Sequence, residues 1–103
     1  MSERSNWKTL RERRMSEPGA AEAYHAAELA YELAYELGRA VRALREQRDW
    51  SQAQLAAAAG MTQSAVARFE AGGTVPSLRV LDRLAQALDA ELTVQVTPRT
   101  HVA

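Results

Sequence analysis

The 103-residue chain contains no cysteine, which excludes both a disulfide framework and a thiolate metal site. It has two histidines, His25 and His101, too far apart in sequence to suggest a metal pair. No apolar run approaches the roughly 20 residues that cross a bilayer. The polar opening, Met1 to Asn6, has no apolar core of a secretory signal. A soluble, cytoplasmic protein with no membrane partner is therefore expected. No Gly-rich phosphate loop follows a strand, and the carboxylates sit in helical surface patterns, so no enzyme and no cofactor are expected.

What is present is alanine, leucine and charge. Apolar residues make up 47% of the chain, many of them alanine, which favours helix but buries little area per residue. Lysine and arginine number 13 and so do aspartate and glutamate, for a net charge of zero. The charges fall in blocks. Arg4, Lys8, Arg11, Arg13 and Arg14 outweigh Glu3 and Glu12 at the start. Residues 15–38 then carry Glu17, Glu22, Glu28, Glu32 and Glu36 with no lysine or arginine. Arg39, Arg42, Arg45 and Arg48 turn the next stretch basic. A neutral total argues for modest nonspecific affinity for nucleic acid.

The pattern predicts an arm over 1–18, closed by the turn signal Ser16-Glu17-Pro18-Gly19, with Trp7 and Leu10 three apart. A long helix follows from Ala20 to about Asp49, in which Gly38 marks a bend or a break. Leu29, Leu33, Leu37, Val41 and Leu44 form one apolar stripe along it. Tyr24, Tyr31 and Tyr35 fall on the opposite side. Ser51 caps a helix from Gln52 to Ala59, with Gln54 completing an approximate capping box, and Gly60 stops it. Thr62 caps a second short helix, Gln63 to Ala71, ended by Gly72-Gly73. Pro76-Ser77 opens another over Leu78 to about Leu88, with Leu78, Leu81, Leu84, Ala85 and Leu88 on one face. The alternation Glu91 to Thr97, stopped by Pro98, predicts a single strand.

Two short helices joined by Gly60 have the spacing of a helix-turn-helix, with Ala56 small where the helices cross. The outward positions of the second are Gln63, Ser64 and Arg68, all able to hydrogen-bond to base edges. Residues 37–88 resemble the Xre-type helix-turn-helix of lambda-repressor and Cro-like regulators. The resemblance rests on Arg45, Trp50-Ser51-Gln52, Leu55-Ala56, Gly60, Thr62-Gln63-Ser64, Val66, Phe69-Glu70, Gly72, Pro76 and Leu84-Ala85. It implies an all-α, lambda-repressor-like bundle with a long N-terminal helix and one C-terminal β-strand. It also implies a phosphate contact for Gln52, base reading by Gln63 and Ser64 with Arg68 a turn further, and an architectural ion pair between Arg45 and Glu70. Thr62 and Thr74 complete the expected DNA-binding set. The loop holding Thr74 lacks the basic residues often found there, so a lighter grip on the backbone is expected.

The flanks resemble HigA-type antitoxins of toxin–antitoxin pairs. That likeness implies a DNA-binding antitoxin that neutralises a RelE- or HigB-like ribonuclease toxin and represses its own operon. A free-standing Xre-type repressor without a toxin is the alternative. The expected division is an arm (1–18), a partner-binding helical extension (19–36), the DNA-binding domain (37–90), a dimerisation strand (91–97) and a tail (98–103). Trp7, Leu10, Tyr24, Tyr31 and Tyr35 are the candidate toxin contacts. Leu92, Val94 and Val96 are the candidate homodimer contacts, since a lone strand needs a mate from a second chain.

Overall fold

The protein's structure, a computed structural model, describes Leu10, Arg13 and residues 16–100. Trp7 lies outside the described residues. Four helices follow Gly19: α1 (Ala20–Gln47), α2 (Gln52–Ala59), α3 (Gln63–Glu70) and α4 (Leu78–Ala87).

Local chemistry explains where these helices start and stop. Ser51 accepts from the Gln54 backbone N–H at 3.1 Å while Gln54 Oε1 accepts from the Ser51 N–H at 2.7 Å, a reciprocal capping box. Thr62 caps α3 through the Ala65 N–H, and Ser77 caps α4 through the Val80 N–H. All four helices end in the same way. Each closes on a left-handed residue, and the N–H that follows it reaches back five residues, as Gly73 does to the Arg68 carbonyl at 3.0 Å. Gly60 and Gly72 take the left-handed position after α2 and α3. Asp49 and Asp89 take it after α1 and α4, a conformation that aspartate tolerates better than most residues.

The core lies where α2, α3 and α4 close on the second half of α1. Leu55, Val66 and Leu84 are completely enclosed, with Val41, Ala56, Ala59, Phe69, Leu81 and Leu88 around them. Burying a side chain of this size contributes about 1.5–3 kcal/mol, so these few residues dominate the stability of the bundle. Leu37, Leu44 and Trp50 seal its edge. Arg48 lies over the Trp50 ring, 4.7 Å from its centroid, and donates to the Leu88 carbonyl, which ties the α1–α2 turn to the end of α4.

Three expectations are corrected. Gly38 does not break α1, which runs uninterrupted for 28 residues. It is buried because α3 crosses there: a Cβ would overlap the Phe69 carbonyl oxygen and stand 3.0 Å from that of Glu70. The apolar stripe of α1 enters the core only from Ala34 onward. Leu29 and Leu33 are exposed, because α3 and the rest of the bundle lie beside the second half alone. Leu78 is likewise exposed at the first turn of α4, ahead of the stretch that meets the core.

The third correction concerns the C-terminal strand. No strand occurs among the described residues, and residues 90–100 are irregular. Alternation favours an extended chain, but a strand exists only through ladder hydrogen bonds, and the described residues offer no second strand to make them. Leu92 packs against the core, while Val94 and Val96 point into solvent, Val96 at 97% exposure.

Candidate nucleic-acid interface

The surface built by α2, the Gly60 turn and α3 is fixed from behind by one buried ion pair. Arg45 Nε donates to Glu70 Oε2 at 2.7 Å and Nη2 donates to Oε1 at 2.9 Å, while Nη1 donates to the Trp50 carbonyl at 2.7 Å. The Glu70 side chain is only 3% exposed. Hydrogen bonding to Glu70 holds the Arg45 guanidinium above its ordinary value, against the desolvation that burial imposes; the charges of Glu70 and Glu46 add to the rise. Two planar groups paired twice over permit little rotation, so α3 is locked against α1 and the α1–α2 turn.

Gln52, the first residue of α2, joins this network by donating Nε2–H to Glu70 Oε1 at 3.2 Å. An amide nitrogen has two hydrogens, so one remains for an acceptor outside the protein. The Gln52 head group is thus held at the start of α2, where the positive end of a helix dipole favours a phosphate.

On α3 the burial pattern separates the faces. Val66, Phe69 and Glu70 are buried, whereas Gln63, Ser64 and Arg68 are exposed. Ser64 and Arg68 are four residues apart and share one outward side; Gln63 flanks them at the helix start. Thr62 is exposed, and its Oγ1 is occupied as cap acceptor, leaving its O–H to donate outward. Thr74 is exposed on the α3–α4 loop. Arg83 braces the interface from α4 by donating to the Gly60 carbonyl at 3.2 Å.

Two residues join the site that the sequence reading left out. Arg39 and Arg42 line an open groove of about 470 Å³ that also touches Glu70 and Ala71, beside the end of α3. Arg39 lies 5.6 Å over the Tyr35 ring, and Arg42 pairs with Glu46 at 2.9 Å. Their three-residue spacing in a basic block was visible in the sequence. That the block borders α3 follows only from the helix crossing at Gly38.

Of the expected partner-binding residues, Tyr35 lines that same groove beside the end of α3, whereas Tyr24, Tyr31 and Leu10 lie away from it. Tyr31 and Tyr35 are 75% and 53% exposed on α1, Tyr24 lies a turn or more before them, and Leu10 is exposed. Among the described residues, no helix is long and apolar enough to cross a membrane.

Comparison with known proteins agrees with this geometry. A helix-turn-helix family model matches residues 41–95, which contain the whole α2–turn–α3 unit and α4. No curated protein matches the chain. Among solved structures, the restriction-modification controller protein C.AhdI from Aeromonas hydrophila aligns with a TM-score of 0.57 at 36% identity. The alignment covers 59% of this chain and 88% of that one. The chain belongs to the Xre-like helix-turn-helix family of DNA-binding transcription regulators.

Proposed function

We propose that this protein is a free-standing, sequence-specific transcriptional regulator that binds a short operator as a two-fold pair, in the manner of a controller protein. The observation that carries the reading is the chemistry of α3. Its inner face is locked by Arg45 and Glu70, and its outer face presents Gln63, Ser64 and Arg68. In this reading Gln63 and Arg68 hydrogen-bond to base edges. Gln52 grips a phosphate, Thr62 and Thr74 add hydroxyl contacts to the backbone, and Arg39 and Arg42 add charge beside it. The likeness to a restriction-modification controller favours regulation of a neighbouring gene set. Selection of binding sites from random duplex DNA, followed by footprinting upstream of the protein's own gene, tests the proposal. A single protected palindrome is expected, and uniform weak binding to all sequences would overturn it.

A second reading, as an antitoxin, is favoured by one observation: exposed Tyr31 and Tyr35 alternate with Glu28, Glu32 and Glu36 on α1. Aromatic anchors among acidic groups suit a small basic partner such as a ribonuclease toxin. Neutralisation in cells of a toxin encoded beside this chain, lost on Tyr31→Ser with Tyr35→Ser, is the outcome that reading expects. An adjacent gene encoding no small basic protein would remove it.

A further inference from the structure

Residues 21–33 are exposed throughout, although they continue the same helix that enters the core from Ala34. Gly19 gives this end no side-chain cap. Isolated helices shorter than about 12–15 residues are marginal in water, so propensity alone holds this half weakly. At about 100° per residue, its side chains separate by chemistry. Ala23, Ala27 and Ala30 extend the side on which Ala34 and Val41 meet the core, with Leu33 and Tyr31 standing about 80° to either side. Glu28, Glu32 and Glu36 occupy the far side.

We infer that this apolar face pairs with the same face of a second copy of the chain, the two helices running antiparallel about a two-fold axis beside Ala27. The charge distribution favours a second copy. Glu28 and Glu32 point away from the axis and Glu22 lies outside the face just beyond Leu33, so no like charges stand on the axis when the face meets itself. A strongly basic partner would gain nothing from an uncharged face. The overlap is bounded at one end by the start of the helix and at the other by the bundle, which begins at Ala34 and places Ala27 at its centre. Alanine lets the backbones come close, and Leu33 and Tyr31 pack along the edges. In this arrangement each helix start abuts the other copy's bundle, which extends the contact beyond the paired helices. The arrangement also sets a spacing. Val41 of one copy lies about 40 Å along the axis from Val41 of the other, at 1.5 Å per residue. That is comparable with the about 34–36 Å between half-sites one turn of DNA apart. The inference deepens the DNA-binding reading and rests on it only for this spacing.

Because the chain has no cysteine, single cysteines report the pairing directly. Ala27→Cys is expected to give a disulfide-linked dimer under mild oxidation, since residues at the axis approach within about 4.4–6.8 Å between Cα atoms. Ala21→Cys, on the charged side, is expected to remain uncrosslinked. Light scattering without DNA should give the full chain twice its monomer mass. Ala27→Glu should reduce that to one chain and weaken operator binding by about a hundredfold, whereas Ala21→Glu should do neither. Gln63→Ala should lose operator affinity and keep the crosslink, which separates failure of the DNA reading from failure of the pairing. The inference is overturned if Ala27→Glu keeps the doubled mass and Ala27→Cys does not crosslink, which would hand the dimer to the tail at Val94 and Val96. It is also overturned if the full chain is a monomer that dimerises only after residues 1–15 are deleted, which would hand the face to the arm.

Discussion

The two halves of α1 draw on the same residues, chiefly alanine, leucine, tyrosine and charge, and carry a continuous apolar pattern. Yet Leu37, Val41 and Leu44 are covered while Leu29 and Leu33 are exposed. The difference lies in what crosses each half. In the second half Gly38 removes the side chain that would keep α3 away, and Arg45 then reaches Glu70 at the end of α3. In the first half no glycine and no inward-reaching arginine draw another element of the bundle onto the helix. Periodicity makes a face available for burial, and a specific close approach decides whether the chain itself covers it.

The largest expected effect breaks the anchored half. Glu70→Ala leaves Arg45 buried without its partner and should destabilise the bundle by about 3–5 kcal/mol, read from urea denaturation. If the loss is below about 1 kcal/mol, surface pairing describes the contact better than burial does. The pair also makes a statement about pH. Because the folded protein holds Arg45 above its ordinary value, that stabilisation is fully present below the unfolded value and is lost only as pH rises through the folded one. Both lie far above neutrality, so Arg45 should add no slope to stability around neutral pH.

A sharper contrast comes from one substitution in each half. Gly38→Ala should cost about 1–3 kcal/mol, since the overlap is with backbone carbonyls that cannot swing aside. Leu33→Ala, measured dilute enough for the chain to be monomeric, should change stability by less than about 0.5 kcal/mol. Similar losses for both would mean that the first half is packed within a single copy.

Operator binding probes the surface that the anchored half supports. Gln63→Ala or Arg68→Ala should each cost about 1–3 kcal/mol on the operator and relax base preference. Gln52→Ala should weaken operator and scrambled DNA alike. Gel-shift titrations on both duplexes separate these outcomes, and unchanged operator affinity for both α3 variants would remove that helix from the interface.

The smallest effect is expected at the C-terminal end. Truncation after Asp89 removes the half-covered Leu92 with exposed Val94 and Val96. It should lower stability by about 1 kcal/mol or less and leave the mass in light scattering at two chains. A fall to one chain would restore the tail as the dimer contact.

The sequence by itself determined the local events. Ser51, Thr62 and Ser77 set helix starts, and Gly60 and Gly72 set helix ends, because capping and left-handed turns are decided within about five residues of chain. It also displayed the outward groups of α3, since a helix eight residues long has only one way to divide Gln63, Ser64 and Arg68 from Val66 and Phe69. Only the tertiary structure decided the rest. The alternation of Leu92, Val94 and Val96 read as a strand, but a strand is a relation between two segments, and the described residues supply no second one. Leu29 read as core because it begins the four-residue series through Leu33, Leu37 and Val41, yet that series drifts about 40° per step and no other part of the bundle reaches its start. Arg39 and Arg42 became neighbours of the interface, and Gly38 an obligate crossing point, through contacts that pair positions some 30 residues apart. Such contacts depend on where separate helices end up in space, which no local pattern of side chains encodes.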